Sequence, residues 1–315
     1  MTTTKGKASS RAKTQTKTKV TTPDPKEISI GIRNKADTEI CAQCRGSHYI
    51  LTNYKGQLQG ELCACFNCPE CKGRGHVYIE DETGITSLRE CVCAGLVHRL
   101  KKVGEAGIPG KFASTKLDTY HPIHASQKFA LRQARDFVQD FGKSKQGLLF
   151  MGRPGLGKTH LAVSVIKMLI LEKKAGCKFV DFFQLLSDIR FGYSQDLSEQ
   201  AIINPYVVAP ILLIDELAKG RNTEWELTML DQIISSRYNA ADKITLFTTN
   251  YSDQTHDSSN DRQPLASEET LQDKVGERIY SRLAEMCRFI KLEGIDYRQE
   301  MQGKQTAPAR FRKKK

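Results

Sequence analysis

A glycine-rich stretch that ends in a lysine and a threonine carries the clearest chemical signal in this sequence. Residues 152–159 read Gly-Arg-Pro-Gly-Leu-Gly-Lys-Thr and match the pattern G-x-x-x-x-G-K-[ST] in full. Glycines let a backbone wrap around phosphates with its N–H groups pointing inward, and the start of a helix favours negative charge. We predict a site for ATP, in which Lys158 reaches the terminal phosphates and the Thr159 hydroxyl binds Mg²⁺. The predicted nucleotide-binding residues are Gly152, Pro154, Gly155, Leu156, Gly157, Lys158, Thr159 and His160.

Two adjacent carboxylates follow an apolar run about 55 residues further along the chain. Residues 211–214 are Ile-Leu-Leu-Ile, and Asp215 and Glu216 come directly after them. A strand buried on both faces delivers such a pair to the carboxyl edge of a parallel sheet, beside the phosphate loop. We predict that Asp215 holds Mg²⁺ through the water shell of the ion and that Glu216 polarises the attacking water. The spacing therefore favours ATP hydrolysis.

A polar residue also ends the next predicted strand. That strand finishes as Thr248-Thr249-Asn250. The Asn250 amide could contact the γ-phosphate or the water, although asparagine is equally common as a turn residue.

Eight of the ten cysteines lie between Cys41 and Cys93 and form an internal repeat. Each unit starts with C-x-x-C, has a glycine two residues later, and ends with C-x-C. Short cysteine turns joined by a hairpin suit the four tetrahedral thiolates of a structural Zn²⁺ site. We predict two Zn²⁺ ions that replace a hydrophobic core, with ligands Cys41, Cys44, Cys63, Cys65, Cys68, Cys71, Cys91 and Cys93. Each unit could bind one ion, or the outer and inner cysteine pairs could form nested sites.

The elements that must position the phosphate site alternate between strand and helix from about residue 112 onward. This alternation predicts an α/β fold with a central parallel sheet, preceded by a small module of two β-hairpins. The predicted strands are Gly147–Met151, Lys178–Phe182, Ile211–Ile214, Ile244–Thr249 and Phe289–Leu292. The predicted helices cover about 125–141, 159–174, 184–193, 223–241 and 271–287.

The charge is concentrated at the two ends of the chain. Seven basic residues and one acidic residue within 1–26, with six basic residues within 303–315, account for the whole net charge of +12. We predict disordered basic tails at 1–26 and 303–315, a double zinc module with its linker at 27–106, and an ATPase domain at 107–302. The tails could supply non-specific affinity for phosphates, or could be solvated ends without a partner.

The distribution of apolar residues argues against a membrane-spanning or a secreted protein. No run of 18 apolar residues occurs, and the N-terminus lacks an apolar signal segment. We therefore expect a cytoplasmic protein without a membrane partner.

Two arginines share one face of the predicted helix 271–287. Arg278 and Arg282 are four residues apart, and Arg298 follows further along. An apolar stripe on the same helix consists of Leu271, Val275, Ile279 and Leu283. Arginines of this kind commonly form surface salt bridges, but the neighbouring phosphate loop favours a role in catalysis for one of the pair.

At this point the sequence resembles the DnaC/DnaI helicase loaders of the AAA+ class, over about residues 107–300. The resemblance rests on the segments 157–162 (Gly-Lys-Thr-His-Leu-Ala), 212–217 (Leu-Leu-Ile-Asp-Glu-Leu), 248–250 (Thr-Thr-Asn) and 277–283 (Glu-Arg-Ile-Tyr-Ser-Arg-Leu). It also rests on the entry segment from Gly107-Ile108-Pro109 to Tyr120. It implies that Asn250 is sensor 1, that Arg282 is an arginine finger given to a neighbouring subunit, and that Arg298 is the sensor 2 residue. It further implies an ATP-dependent homo-oligomer, single-stranded DNA binding, and an N-terminal domain that grips the hexameric replicative helicase.

Two other functions fit the same motifs. A transposase-helper ATPase similar to IstB would use the AAA+ oligomer to mark target DNA. Alternatively, the C-x-x-C-x-G turns resemble the cysteine-rich region of DnaJ, so that the zinc module would bind client proteins. Two all-cysteine sites also differ from the single mixed-ligand zinc site found in some loaders.

Overall fold

A five-stranded parallel sheet lies at the centre of the computed structural model, which describes residues 41–80, 84–91, 93–240, 242–253 and 269–297. The described residues belong to one compact unit. The predicted tails 1–26 and 303–315 and the predicted sensor residue Arg298 lie outside these ranges. Within them, no helix combines the length and the apolar character needed to cross a bilayer.

The sheet confirms the predicted fold class and brings the two chemical motifs to one edge. Its strands are β5 (Gly147–Met151), β6 (Cys177–Asp181), β7 (Ile211–Asp215), β8 (Ile244–Thr249) and β9 (Cys287–Lys291), in the order β6-β7-β8-β5-β9. The carboxyl ends of β5, β7 and β8 are therefore neighbours. The phosphate loop follows β5, and Asp215 and Asn250 come at or just after the ends of β7 and β8.

Helices cover both faces of the sheet, because alternate residues of each buried strand point to opposite sides. Leu148 and Phe150 of β5 pack into one apolar cluster, whereas Leu149 and Met151 pack into the other. The first face carries α1 (Ala94–Glu105), α2 (Ala125–Gln139) and α3 (Lys158–Lys173). The second carries α4 (Phe182–Ser194), α5 (Glu199–Val208), α6 (Glu224–Asn239), α7 (Leu271–Val275) and α8 (Glu277–Met286).

Three expectations from the sequence were wrong in detail. Helices α1 and α5 were not predicted, and the ends of β6 and β9 differ by one or two residues from the prediction. The single helix predicted over 271–287 is two helices, because Gly276 takes a φ of +79°, which ends α7 and begins α8. The apolar stripe predicted on it is nevertheless buried throughout.

Two hairpins precede the sheet. The first consists of β1 (Tyr49–Tyr54) and β2 (Gln57–Leu62), and the second of β3 (His76–Glu80) and β4 (Thr86–Glu90). The first hairpin is joined to the segment that leads into the sheet region, since Leu58 N–H donates to the Ile108 carbonyl at 2.8 Å and Gly110 N–H donates to the Gly56 carbonyl at 2.8 Å. Leu58 is fully buried in the same apolar cluster as α3.

Candidate nucleotide and metal sites

The phosphate loop is held in shape by an aromatic residue that the sequence analysis missed. Gly157 precedes α3 with a φ of +83°, and a Cβ placed there would lie 2.4 Å from Cε2 of Tyr120. The Tyr120 hydroxyl donates to the carbonyl of Leu156 at 2.8 Å. Only glycine fits under the ring, so Tyr120 packs directly on the turn that leads into the helix. Its position far upstream of the loop gave no signal in the sequence.

The loop lysine points back onto its own loop. Lys158 is buried, and its Nζ donates to the carbonyl oxygens of Gly152 at 2.6 Å and Arg153 at 2.8 Å. These carbonyls keep the ammonium group at the mouth of the loop. A phosphate oxygen bound in the loop would give the ammonium group a charged hydrogen-bond acceptor in place of these two neutral carbonyls.

Asp215 lies at the centre of a hydrogen-bond network formed by two threonines. The hydroxyls of Thr159 and Thr248 donate to Oδ1 of Asp215 at 2.8 and 2.6 Å. Burial raises the pKa of Asp215, and the two hydroxyl hydrogen bonds oppose that rise. Thr248 is in turn fixed by the N–H of Glu216, which donates to its Oγ1 at 2.9 Å. Thr248 therefore joins the ends of β7 and β8, a role that the sequence analysis did not assign to it.

Glu216 begins a tight turn and is paired with a lysine. Its backbone φ is +56°, and Nζ of Lys219 lies 2.5 Å from its Oε2. The hydrogen bond to Glu216 raises the pKa of Lys219, so the lysine carries its charge at neutral pH. Lys219 is a second residue near the site that the sequence analysis did not single out.

A cleft of about 530 Å³ connects these residues. This volume lies in the range of roughly 300–1,000 Å³ that small-molecule sites occupy. The predicted residues that line it are Pro154, Gly155, Leu156, Gly157, Lys158, Thr159, His160, Asp215, Glu216 and Asn250. Phe112, Tyr120 and Ile123 also line this cleft, and such side chains suit a flat, apolar ring. The cleft therefore combines a cation and hydroxyl groups with aromatic side chains, as a nucleotide requires.

His160 lines the cleft but is engaged elsewhere. Its Nε2 lies 2.8 Å from the Lys116 carbonyl, and its ring centroid lies 5.4 Å from that of Tyr120. Burial lowers the pKa of His160, so a neutral ring donates this hydrogen bond. The histidine thus ties the start of α3 to the segment before α2.

The two predicted arginines lie on α8 and do not line the cleft of their own chain. Nη1 of Arg282 is 2.6 Å from Oδ1 of Asp231 and 2.6 Å from Oγ of Ser235, both on α6. Nη2 of Arg278 is 3.3 Å from the other oxygen of Asp231, and its side chain is 72% exposed against 22% for Arg282. One carboxylate therefore orients both guanidinium groups, and only Arg282 is partly enclosed.

Each cysteine unit gathers its own four sulfurs, which decides between the two arrangements that the sequence left open. Four ligand atoms cluster within 4.8 Å of one another in each unit, with no exchange between units. Tetrahedral thiolates about 2.3 Å from Zn²⁺ would lie about 3.8 Å apart. The Sγ–Sγ distances are 3.8 Å for Cys41–Cys63 and 3.1 Å for Cys71–Cys93. The residues present therefore fit one Zn²⁺ in each unit.

The two cysteine turns have the same backbone. Arg45 and Lys72 both have a φ of +51°, and each donates its N–H to the carbonyl of the first cysteine of its turn, Cys41 or Cys68. In the second unit burial opposes ionisation, but hydrogen bonds from the Cys93 thiol and the Gly75 N–H lower the pKa of Cys71 to about 6. Burial and the contact with Cys71 in turn raise the pKa of Cys93, so the sulfurs of this unit share protons that a bound metal ion would displace.

Chelation is expected to affect the two hairpins differently. We expect two Zn²⁺ per chain by elemental analysis. After chelation, amide hydrogen exchange should become fast throughout β3 and β4. All five residues of β4 are exposed, so the fold of this hairpin should depend mainly on the bound metal. Leu58 N–H should stay protected, since it is buried and bonded to Ile108. One zinc per chain, an iron–sulfur absorption spectrum, or equal loss in both hairpins would contradict this expectation.

Comparison with known proteins shows that the sheet region is similar to a family of ATP-binding proteins. The family model described as IstB-like ATP binding protein matches residues 125–307. The replicative helicase loader DnaC of Escherichia coli strain K12 is 26% identical over 133 residues, which are 42% of this chain and 54% of that protein. The corresponding loader of Buchnera aphidicola subsp. Baizongia pistaciae is 27% identical over 137 residues, 43% of this chain and 55% of that protein. The chain therefore spans about half the length of these curated relatives.

The fold is also similar to that of a solved structure. The crystal structure of a DnaC helicase loader is similar with a TM-score of 0.50 and 31% sequence identity, over 58% of this chain and 99% of that chain. The central sheet and its helices are therefore those of an AAA+ domain.

Proposed function

Since this chain belongs to the family of IstB-like ATP-binding proteins, we propose that it binds and hydrolyses ATP with Mg²⁺ and loads a replicative helicase onto single-stranded DNA. The observation that carries the proposal is the convergence of Lys158, Thr159, Asp215 and Glu216 on one cleft. We expect the reaction to take place on chromosomal DNA in the cytoplasm. The boundaries 27–106 for the zinc module and 107–302 for the ATPase domain are part of the proposal.

ATP binding uses the backbone and the lysine of the phosphate loop. The N–H groups at the start of α3 and the positive end of its dipole attract the phosphates. Lys158 exchanges the carbonyls of Gly152 and Arg153 for phosphate oxygens and so neutralises part of their charge. Phe112, which also lines the cleft, is proposed to contact the base.

Thr159 would hold Mg²⁺ through its hydroxyl, and Asp215 would hold it through the water shell of the ion. Both side chains carry hard oxygen atoms, and these oxygen atoms lie 2.8 Å apart. When bound, the ion neutralises charge on the β- and γ-phosphates. The burial that raises the pKa of Asp215 makes a cation at this place favourable, because the carboxylate then has a partner for its charge.

Hydrolysis is assigned to Glu216 with help from Asn250. Glu216 accepts a proton from the attacking water, and Asn250, as the sensor 1 residue, orients that water against the γ-phosphate. Lys219 holds the Glu216 carboxylate in place through their ion pair. Thr248 holds the ends of β7 and β8 together, so that both functional groups keep their spacing.

Completion of the site requires a second subunit. Arg282 lies outside its own cleft and is proposed as a finger that enters the cleft of a neighbour in an ATP-dependent oligomer. Asp231 acts as its positioning residue. Arg298, which lies outside the described residues, is proposed as the sensor 2 contact to the γ-phosphate.

The helicase partner is supported by the relatives. Two of them are named as replicative helicase loaders, although this chain covers only about half of each. A hexameric replicative helicase is therefore the proposed partner.

Single-stranded DNA binding is supported by exposed aromatic side chains on α4. Phe183 and Phe191 are 49% and 67% exposed, and Lys219 lies 5.8 Å from the ring of Phe183. Bases stack on such rings without regard to sequence, while nearby cations contact the backbone. The basic tails 1–26 and 303–315 would add phosphate contacts.

Removing the tail charges is expected to weaken binding to single-stranded DNA and to flatten its salt dependence. The slope of log K against log salt should become shallower by about 0.7 for each phosphate that the tails no longer neutralise. The measurement is a salt titration of oligothymidine binding, with all tail Lys and Arg replaced by Gln. An unchanged slope would mean that the tails are solvated ends that do not touch DNA.

A transposase-helper function is the second candidate, because the matching family model is named after IstB. The two functions differ in the partner. We expect the purified chain with ATP to form a complex with the replicative helicase of its own genome, measured by mass photometry, and not with a transposase. A complex with the transposase alone would favour the second function.

A further inference from the structure

The second hairpin presents an uncovered apolar pair to solvent. Tyr78 of β3 and Leu88 of β4 are direct cross-strand partners, and their side chains are 67% and 63% exposed. Ile85, in the turn between the strands, is 64% exposed. Neighbouring exposed apolar side chains on one element are typical of an interaction surface.

The internal repeat identifies the equivalent surface on the first hairpin. Leu51 and Tyr78 each lie ten residues after the first cysteine of their unit, and Gly60 and Leu88 each lie three residues before the C-x-C cysteines. Leu51 and Gly60 are also direct cross-strand partners. The pair Leu51–Gly60 therefore occupies the same place and the same face as the pair Tyr78–Leu88.

In the first unit this face is covered by a helix. A Cβ placed on Gly60 would lie 2.9 Å from Cδ2 and 3.3 Å from Cα of Leu100, so the backbone of α1 crosses the hairpin directly above this pair. Leu58, two residues away on the same face, is fully buried. The chain thus contains its own example of what this hairpin face binds, namely an amphipathic helix.

The covering helix is basic, and the uncovered face is acidic. The apolar side of α1 consists of the buried residues Leu96, Leu100 and Val103. The charged residues of this helix are Arg99, Lys101, Lys102 and Glu105. On the second hairpin, Glu80 lies two residues from Tyr78 and shares its face, whereas Glu90 at the other end of β4 lines a groove with Arg99 and Lys102 of α1. Four thiolates on Zn²⁺ would add further negative charge at the base of this hairpin.

We propose that the face of the second hairpin around Tyr78 and Leu88 docks a basic amphipathic helix of a partner protein. A second copy of the chain cannot supply α1 for this purpose, because the apolar side of α1 is already buried in its own chain. Where α1 meets Gly60, the incoming helix meets Leu88, so it must carry a small residue at the crossing point. The assignment of this helix to the replicative helicase rests on the proposed function.

The test measures binding of the full-length chain to the replicative helicase of the same genome. Leu88→Asp and Tyr78→Asp each place a charge in the docking face and should weaken binding by at least about tenfold, as loss of a central apolar anchor does. Ser87→Asp is the matched control, because Ser87 is adjacent in sequence but pairs with Ile79 on the opposite face. It should change the Kd by less than about twofold, as expected outside a binding hot spot.

A charge reversal tests the second part of the proposal. Glu80→Lys should weaken binding less than Leu88→Asp and should make the remaining affinity less sensitive to salt. Zinc content and ATP hydrolysis are measured on every variant. Both should be unchanged, since none of these side chains binds the metal or lines the nucleotide cleft.

The outcomes separate this proposal from the proposed function. If wild type binds the helicase and both aspartate variants bind equally well, the docking face is wrong, although the loader function stands. Equal weakening by Ser87→Asp would also overturn it, because the effect would not depend on the face. If wild type does not bind the helicase at all, the loader function and the assignment of the helix both fail.

Discussion

Replacing Arg282 by alanine is expected to leave ATP binding almost unchanged and to remove most of the hydrolysis that depends on assembly. The γ-phosphate gains charge in the transition state, and an arginine supplied by a neighbouring subunit stabilises it by about 10³–10⁵ in rate in well-studied NTPases. Slow loader-type ATPases should lose less, about 10- to 100-fold. The measurements are nucleotide titration and steady-state hydrolysis at a concentration at which the chains assemble.

The neighbouring arginine is the control for this prediction. Arg278 contacts the same carboxylate of Asp231 from the same helix face, but its side chain is 72% exposed. Because the resemblance to the helicase loaders assigns the finger to Arg282, Arg278→Ala should retain most of the activity. A larger loss from Arg278→Ala than from Arg282→Ala would identify Arg278 as the finger.

Mixing variants tests whether the arginine acts between subunits. A Lys158→Ala chain should not bind ATP but still carries Arg282, and an Arg282→Ala chain still carries an intact phosphate loop. The mixture should recover hydrolysis that neither variant has alone. No recovery at any ratio would contradict action in trans.

Replacing Glu216 by glutamine is expected to stop hydrolysis while ATP stays bound. The amide keeps the size of the side chain but cannot accept a proton from the water, and loss of a general base costs about 10²–10⁴ in rate. The variant should therefore accumulate as an ATP-bound oligomer. Single-turnover hydrolysis and sedimentation with ATP measure the two effects.

The control for Glu216 is its ion-pair partner. Lys219→Met removes the cation 2.5 Å from Glu216 but leaves the carboxylate. It should lower hydrolysis by only a few-fold, since an exposed pair of this kind contributes little by itself. Equal loss in both variants would mean that the pair serves the fold of the turn rather than the chemistry.

Much of the nucleotide site could be predicted, because the spacing of its motif residues along the sequence determines how their side chains are arranged. The phosphate loop, the apolar strand before Asp215 and the strand before Asn250 each fix a local structure, and parallel strands bring their ends together. Thr248 and Tyr120 could not be assigned in the same way. Their roles depend on contacts with Asp215 and Leu156. No motif or spacing in the sequence indicates these contacts.

The missed helices have physical reasons. Helix α1 carries glycines at 95 and 104, starts directly after Cys93 of the second cysteine unit and has no side-chain cap, so it lacks the usual signals of a helix start. Helix α5 contains Pro205, which normally indicates a helix end. Which hairpin α1 covers is decided by packing of Leu100 on Gly60, and the repeat alone did not distinguish the covered unit from the exposed one.

Loading of the replicative helicase onto circular single-stranded DNA tests the central claim most directly, because a closed hexamer cannot thread onto a circle. Helicase, chain and ATP are incubated with the circles, free helicase is removed, and the helicase retained on DNA is measured. The account predicts retention that depends on the chain and on ATP, and that Lys158→Ala abolishes. Equal retention with wild type, with Lys158→Ala and without the chain would contradict it.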